Sequence, residues 1–296
     1  MNNLKTVGLL AFLGAIFVLV GQVLGGTSGA VTALIFVGVL NFGIYFFSDK
    51  IALKSAGARP VEEHELPQVY GIVRSLTQRE DMPMPTIYVI DSPQPNAFAT
   101  GRSPKHAAVA VTTGILQMMD SDELEGVLAH EISHVRNRDV LIGTIAATVA
   151  AALSFLARMA MFRSLFGGGN RNDNNPLAGL IALVSIIVAP IAAMLIRFAV
   201  SRSREYEADR SGAEISGNPL ALARALEKLE AGTSRIPMDV NPSTAQLFIA
   251  DPLKAFGNRG GRGRQQQAST FAKLFSTHPP ISERVERLTR MAQGWR

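Results

Sequence analysis

The sequence contains no cysteine and few charged residues. Because cysteine is absent from all 296 residues, the chain cannot form a disulfide, and any metal site must use histidine or carboxylate ligands. Charged residues make up 18% of the chain and hydrophobic residues 47%, a balance that indicates partial embedding in lipid. The net charge of +5 is typical of basic residues that flank membrane spans. These features predict a membrane protein.

Aromatic residues are also scarce where a nucleic-acid arm would need them. The most RNA-like stretch, residues 260–264, is short, rich in glycine and arginine, and contains no interleaved aromatic residue. Proteins that bind single-stranded nucleic acid combine cations with aromatic side chains on which the bases stack. We therefore expect the basic residues to face a lipid bilayer, and we expect no nucleic-acid partner.

Four apolar segments are long enough to cross about 30 Å of hydrocarbon. They are residues 6–24, 30–47, 140–162 and 177–200. The first two are separated by a short glycine-rich stretch that predicts a tight turn. The last two are rich in alanine and glycine, so a buried pair of helices in a soluble core is the alternative for them. The sequence predicts a four-span anchor.

Basic residues are distributed unevenly around these spans. On one side lie Lys5, Lys50, Lys54, Arg59, Arg136, Arg138, Arg202 and Arg204, and on the other Arg158, Arg163 and Arg171. Since lysine and arginine favour the cytoplasmic side, we expect both large polar segments in the cytoplasm and the loop 167–176 outside. The predicted organisation is a two-span anchor at residues 1–47, a membrane hairpin at 140–200, and one cytoplasmic domain built from residues 48–139 and 201–296.

The polar segments predict an α+β fold that is mostly helical and carries a small sheet. Alternating and β-branched runs predict short strands at residues 86–90, 96–100 and 107–112. Helical periodicity and turn residues predict helices at 70–76, 203–216, 219–231 and 281–292. A further helix begins after Asp120, which is followed three residues later by Glu123 in the pattern of a capping box.

That helix carries the candidate metal ligands. At 3.6 residues per turn, His130 and His134 lie on one face and their imidazoles can bind one ion. Glu131 lies beside them, where it can accept a proton from a water activated by the metal. A solvated helical face that contains these residues by chance is the alternative, and a second feature is needed to exclude it.

Glu205 and Asp209 provide the second feature, because residues four apart share a helix face. Zinc hydrolases commonly use two histidines and one glutamate and leave the fourth position to water. We therefore predict that Glu205 completes the ligand set and that Asp209 accepts the ring N–H of His130. A charged surface paired with nearby arginines is the alternative. Two predicted spans separate His134 from Glu205, so the chain returns to the same side of the membrane.

Together these features resemble the membrane-bound zinc metallopeptidases of the HtpX heat-shock type, which are more distantly related to the CAAX prenyl proteases. The resemblance extends from the two-span anchor through His130-Glu131-x-x-His134, the hydrophobic hairpin and Glu205-x-x-x-Asp209 to Thr277-His278-Pro279-Pro280. It implies a zincin-like domain with one Zn²⁺ per chain in a bacterial inner membrane. It also implies stress-related hydrolysis of membrane or misfolded proteins.

Two further assignments depend on the resemblance. Asn96 and Ala97 look like the edge strand on which thermolysin-like enzymes bind a substrate backbone, through the Asn side chain and the Ala carbonyl. His278 resembles the histidine that stabilises the oxyanion in the family. An ordinary strand and a plain histidine before the last helix are the alternatives.

Two other functional classes compete with a peptidase. A membrane sensor that signals through a zinc domain would need a sensor or effector segment, and no segment of the sequence is free for that role. A transporter would place ionisable residues deep in its spans, whereas Arg158 and Arg197 lie near the predicted span ends. A zinc endopeptidase with polypeptide substrates is the favoured interpretation, and the sequence does not predict the oligomeric state.

Overall fold

The computed structural model describes residues 2–146, 202–259 and 279–294. Most of the third predicted span, all of the fourth, the loop 167–176 and His278 lie outside the described residues. The described residues form a long N-terminal helix and a mostly helical unit with a small mixed sheet, which confirms the α+β expectation.

The N-terminal helix α1 (Asn2–Ser55) is interrupted at Gly25 and Gly26. Gly26 has a φ of 59°, a conformation that glycine adopts without steric cost. The ring centroids of Phe17 and Phe36 lie 5.9 Å apart, so the two arms of α1 fold back on each other at the predicted turn. Within the described residues, Gly25–Ser55 is the one helix long and apolar enough to cross a membrane. The prediction of spans is therefore confirmed for residues 30–47 alone.

The sheet contains four strands in the order β1-β2-β4-β3. They are β1 (Ala58–Pro60), β2 (Thr86–Ile90), β3 (Ala97–Gly101) and β4 (Ala107–Thr112). β2 and β4 are parallel, and the other pairs are antiparallel. The N–H of Thr112 donates to the carbonyl of Asn96 (3.0 Å). Because successive residues of a strand direct their backbone groups to opposite sides, Ala97 and Ala99 present theirs to the open edge.

Eight further helices surround the sheet in the described residues. They are α2 (Pro67–Arg79), α3 (Thr113–Met118), α4 (Ser121–Asn137), α5 (Arg202–Ser216), α6 (Pro219–Arg235), α7 (Pro242–Ala245), α8 (Lys254–Arg259) and α9 (Ile281–Gly294). Residues 140–146 are also helical where the description of that stretch ends. Helix α4 is central, because it contacts β3 on one side and α2, α5 and α6 on others. Its apolar residues Leu124, Val127, Leu128 and Ile132 are buried in the main core.

Helix α5 approaches α4 unusually closely at Gly212. A Cβ atom added at this position would lie 2.8 Å from the backbone nitrogen of His130, a distance that side chains do not tolerate. The missing side chain therefore lets the two backbones lie almost in contact. This approach brings the carboxylates of α5 to the histidines of α4.

Candidate metal centre and active site

The helix that carries the histidine pair begins as the sequence predicts. Asp120 accepts a hydrogen bond from the N–H of Glu123 (2.9 Å), and the side chain of Glu123 accepts one from the N–H of Asp120 (3.1 Å). This capping box satisfies backbone donors at the start of α4. The helix then continues without interruption through His130 and His134, which fixes their spacing on one face.

His130, His134 and Glu205 converge on one point. The Nε2 atoms of the two histidines lie 3.1 Å apart. The carboxylate of Glu205 lies 3.6 Å from Nε2 of His134 and 3.8 Å from Nε2 of His130. All three side chains thus offer one ligand atom each within a 4.8 Å cluster, although a long stretch of sequence separates Glu205 from the histidines.

His130, Asp209 and Arg284 form what we call the inner half of the site. Nδ1 of His130 lies 3.0 Å from Oδ1 of Asp209, the arrangement that the sequence predicts. Arg284, on α9, donates to both oxygens of this carboxylate at 2.6 and 2.8 Å and is itself fully buried. Burial raises the pKa of Asp209, but the charge and hydrogen bonds of Arg284 outweigh it and lower the pKa to about 2. Asp209 is therefore ionised and holds the ring of His130.

His134 and Asp139 form the outer half of the site. Helix α4 ends at Arg138, whose left-handed conformation (φ 55°) turns the chain back. The turn places both oxygens of Asp139 3.1 and 3.2 Å from Nδ1 of His134. Burial lowers the pKa of His134, but Asp139 and the charge of Glu205 outweigh it and raise the pKa to about 10. The ring of His134 is thus held by a residue close in sequence.

Glu131 is buried between α4 and the edge strand. Its Oε2 accepts a hydrogen bond from the backbone N–H of Ala99 at 2.8 Å. Burial is the main cause of a raised pKa at this carboxyl, and the charge of Glu205 acts in the same direction. The charges of both histidines and the hydrogen bond from Ala99 oppose this rise. A carboxyl of this kind can take up and release a proton nearer to neutral pH than an exposed glutamate.

The donor set fits a tetrahedral zinc ion. Each histidine directs Nδ1 to a carboxylate, an arrangement that places Nδ1 as the donor and leaves Nε2 of each ring, facing the centre, available to bind an ion once it is deprotonated. The two Nε2 atoms lie 3.1 Å apart with the carboxylate of Glu205 beside them, so the three groups are placed to bind one cation. Ligand atoms about 2.0–2.1 Å from a tetrahedral ion lie about 3.3 Å apart, within the range of the separations found here.

Asn96 and Ala97 lie at the edge strand, but their polar groups bind another part of the chain. Both residues are fully buried. The side-chain amide of Asn96 donates to the carbonyl of Ala250 (2.8 Å), and the carbonyl of Ala97 accepts from the N–H of Ile249 (3.0 Å). The residues thus bind backbone groups in the predicted manner, although these groups belong to the chain itself.

Two residues of the site are missing from the sequence predictions. Arg284 gives a usable signal, since its spacing from Ile281 and Leu288 places it on the apolar face of α9, but only the fold shows that it pairs with Asp209 there. Asp139 gives a weak local signal, since it follows the end of α4 and lies near His134 in the chain. His278, the predicted oxyanion residue, lies outside the described residues.

Comparison with known proteins identifies the family. The model of peptidase family M48 matches residues 63–292, which include both motifs of the candidate metal centre. This chain belongs to peptidase family M48. Among M48-type relatives, the protease HtpX homologue of Thermodesulfovibrio yellowstonii is 51% identical over 295 residues and 100% of both chains. That of Aquifex aeolicus is 49% identical over 93% of this chain and 88% of its own length.

The fold of this M48 peptidase resembles that of one solved structure. The crystal structure of Ste24p from S. mikatae matches 97% of this chain with a TM-score of 0.52 at 19% sequence identity. The chain spans 64% of the length of that protein. The family, the relatives and the apolar helix of α1 together identify the chain as a membrane-bound metalloprotease. They do not favour the sensor alternative.

Proposed function

We propose that the chain is a zinc endopeptidase that hydrolyses membrane or misfolded proteins at the cytoplasmic face of a bacterial inner membrane, in stress-related quality control. The observation that carries the proposal is the convergence of His130, His134 and Glu205 on one point. The bacterial relatives named as HtpX proteases support polypeptide substrates, and the resemblance to the HtpX-type peptidases implies the substrate class and the location. The asymmetry of basic residues around the predicted spans supports a multi-pass anchor with a cytoplasmic active site.

His130, His134 and Glu205 would hold one zinc ion, and Asp209 and Asp139 orient the two imidazoles from behind. When bound, zinc supplies Lewis-acid chemistry that acidifies water and polarises a carbonyl group. Glu131 accepts the proton of the attacking water and then returns it to the amine that leaves when the C–N bond breaks. The N–H of Ala99 orients the Glu131 carboxylate for this exchange, and it also keeps that carboxylate close to the edge of β3.

Substrate recognition and charge stabilisation would depend on the remaining predicted residues. The side chain of Asn96 and the carbonyl of Ala97 bind the backbone of an extended peptide, since both lie at the edge of β3 that pairs with no other strand. His278 stabilises the negative charge that develops on the carbonyl oxygen of the substrate. Its place in the chain just before α9 supports this role, because α9 carries Arg284 into the site.

Zinc quantitation and casein digestion by the full-length chain in detergent test the proposal. Wild type should bind one zinc per chain and digest casein. Glu131→Gln should retain zinc and lose at least a hundredfold in rate, because general base catalysis contributes about 10²–10⁴-fold. Glu205→Ala should lose both zinc and activity. Glu207→Gln is the matched control, since Glu207 is exposed on the same helix, and it should behave as wild type.

Two results would reject the proposal. Undiminished digestion by Glu131→Gln would remove Glu131 from the mechanism. Full zinc occupancy in Glu205→Ala would show that the cluster of His130, His134 and Glu205 is not the metal site.

A further inference from the structure

The polar groups proposed to bind substrate are occupied by residues 248–250, which we call the strap. The N–H of Ile249 donates to the carbonyl of Ala97 at 3.0 Å. Both backbone groups of Ala250 bind the side chain of Asn96. The Asn96 amide nitrogen donates to the carbonyl of Ala250 (2.8 Å), and the Asn96 amide oxygen accepts from the N–H of Ala250 (3.3 Å). An extended peptide added to the edge of a sheet makes hydrogen bonds of this kind.

The strap lies at the same edge as the catalytic glutamate. Ala97 and Ala99 direct their backbone groups away from β4, and Ala99 donates to Glu131. Ala97 is two residues along the same strand, about 7 Å away. From the opposite side, Nη1 of Arg284 donates to the carbonyl of Ile249 at 3.3 Å. The strap therefore contacts the edge strand and also the residue that holds Asp209.

Further contacts hold the strap in place. The ring of Phe248 packs edge-on against Phe98, with centroids 4.9 Å apart. The side-chain amide of Gln94 donates to the carbonyls of Ile236 (2.6 Å) and Pro252 (2.9 Å), on either side of the strap in the chain. All three strap residues are at most 3% exposed. These contacts together hold the strap against β3.

We propose that the strap is an internal competitor that occupies the backbone site of the substrate and must leave β3 before a peptide can bind. The inference rests on the proposed peptidase function. The carbonyl of Ala97 and the side chain of Asn96 cannot bond both the strap and a substrate in the same geometry. Occupancy by the strap restrains the protease until a suitable extended chain displaces it. The contrasting arrangement is a strap that stays in place while substrate binds elsewhere along the edge.

Thiol labelling of the full-length, zinc-loaded chain distinguishes the two arrangements. Because the chain has no cysteine, Ala250→Cys introduces a single thiol within the strap. The test peptide is a segment of casein that contains a bond cleaved by the wild type. In the Glu131→Gln background, this peptide can bind without being hydrolysed. Saturating peptide should accelerate maleimide labelling of Ala250→Cys at least fivefold. Ala223→Cys, equally buried in α6, is the matched control and should label at an unchanged rate.

Kinetics of a second pair of variants test the restraint itself. Ala250→Pro removes the N–H that donates to Asn96, whereas Ala250→Ser keeps it and is similar in size. Loss of one such bond should lower the KM of the casein-derived peptide about two- to tenfold in Ala250→Pro. Ala250→Ser should keep the KM of wild type. The kcat should change little, since the strap does not supply a reacting group.

Three outcomes are informative. Faster labelling with peptide and a lower KM support the competitor. Unchanged or slower labelling of Ala250→Cys, in a chain that still binds the peptide, overturns it while leaving the peptidase function intact. Absence of casein hydrolysis by the wild type would instead contradict the proposed function, and the labelling response would then be measured with casein itself.

Discussion

The inner and outer halves of the metal site orient similar imidazoles by different means. His130 is held by Asp209 of α5, which is in turn fixed by Arg284 of α9, so three helices distant in sequence must pack before the ring is oriented. His134 is held by Asp139, which a left-handed residue at the end of α4 turns back toward it. The inner histidine is 1% exposed and the outer one 16%. The inner half therefore depends on tertiary packing, and the outer half on local backbone geometry.

Replacing Arg284, which acts on the inner half alone, should have the largest effect on the stability of the protein. Arg284→Met leaves the carboxylate of Asp209 buried without its cation, and loss of one partner from a buried pair costs about 3–5 kcal/mol. We expect the free energy of unfolding to fall by this amount in urea titrations of the detergent-purified chain. Arg290→Met is the control, because Arg290 pairs with Glu286 on the exposed face of the same helix. Equal stability of the two variants would contradict the role of Arg284.

Adding one methyl group where α4 and α5 meet should lower the stability of the protein by less than the loss of Arg284 does. In Gly212→Ala the new Cβ meets backbone atoms of His130, which cannot move aside as a flexible side chain would. Overpacking of this kind costs about 1–3 kcal/mol. We expect a lower unfolding midpoint together with weaker zinc binding, since α5 carries Glu205.

Gly71→Ala is the matched control for that prediction. Gly71 lies within α2, and a Cβ atom there would meet nothing within 4 Å. Alanine should stabilise this helix by about 0.5–1 kcal/mol relative to glycine. A destabilised Gly71→Ala variant, or an unaffected Gly212→Ala variant, would show that the close approach of α4 and α5 does not determine the effect.

Replacing Asp139 should lower the zinc affinity more than it lowers the stability of the fold, in contrast to the replacement of Arg284 in the inner half. Asp139→Asn weakens the hydrogen bond that orients His134, and loss of such partners typically lowers metal affinity ten- to a hundredfold. Competition with a fluorescent zinc chelator measures the affinity, and the unfolding midpoint of the metal-free chain should fall less than in Arg284→Met, because His134 is partly exposed whereas Arg284 is fully buried. Asp239→Asn, on an exposed loop residue, provides the control. Unaltered zinc affinity would leave Asp139 without a role at the metal.

Local signals predict part of this molecule well. The capping box, the spacing of His130 and His134, and the strands β2 and β4 each depend on residues near one another in sequence. The second predicted strand begins one residue later than expected, at Ala97, because the N–H of Asn96 donates to the side chain of Thr112 and not to a backbone carbonyl of β4. Strand β1 and helix α3 were not predicted, since three and six residues carry too little periodicity.

Signals that depend on tertiary packing could not be read from the sequence. The spacing of Arg284 from Ile281 and Leu288 places it on the core face of α9, but its partner Asp209 lies on α5 and cannot be identified from the periodicity of α9. The strap is a similar case, because Phe248 and Ile249 read as ordinary apolar residues of a loop. The role of Glu205 is predictable because zinc sites of hydrolases commonly combine two histidines with one glutamate, which connects two motifs that lie far apart in the sequence.

The end of α1 continues directly into the catalytic unit. Leu53 and Ala56 are buried in the same apolar cluster as Phe98 and Phe248, and β1 begins only after Gly57. The apolar helix thus joins the protease unit through a packed segment and not through an exposed linker. In the proposed membrane topology, such a joint would set the distance between the catalytic centre and the lipid, and with it the part of a neighbouring polypeptide that can reach the zinc ligands.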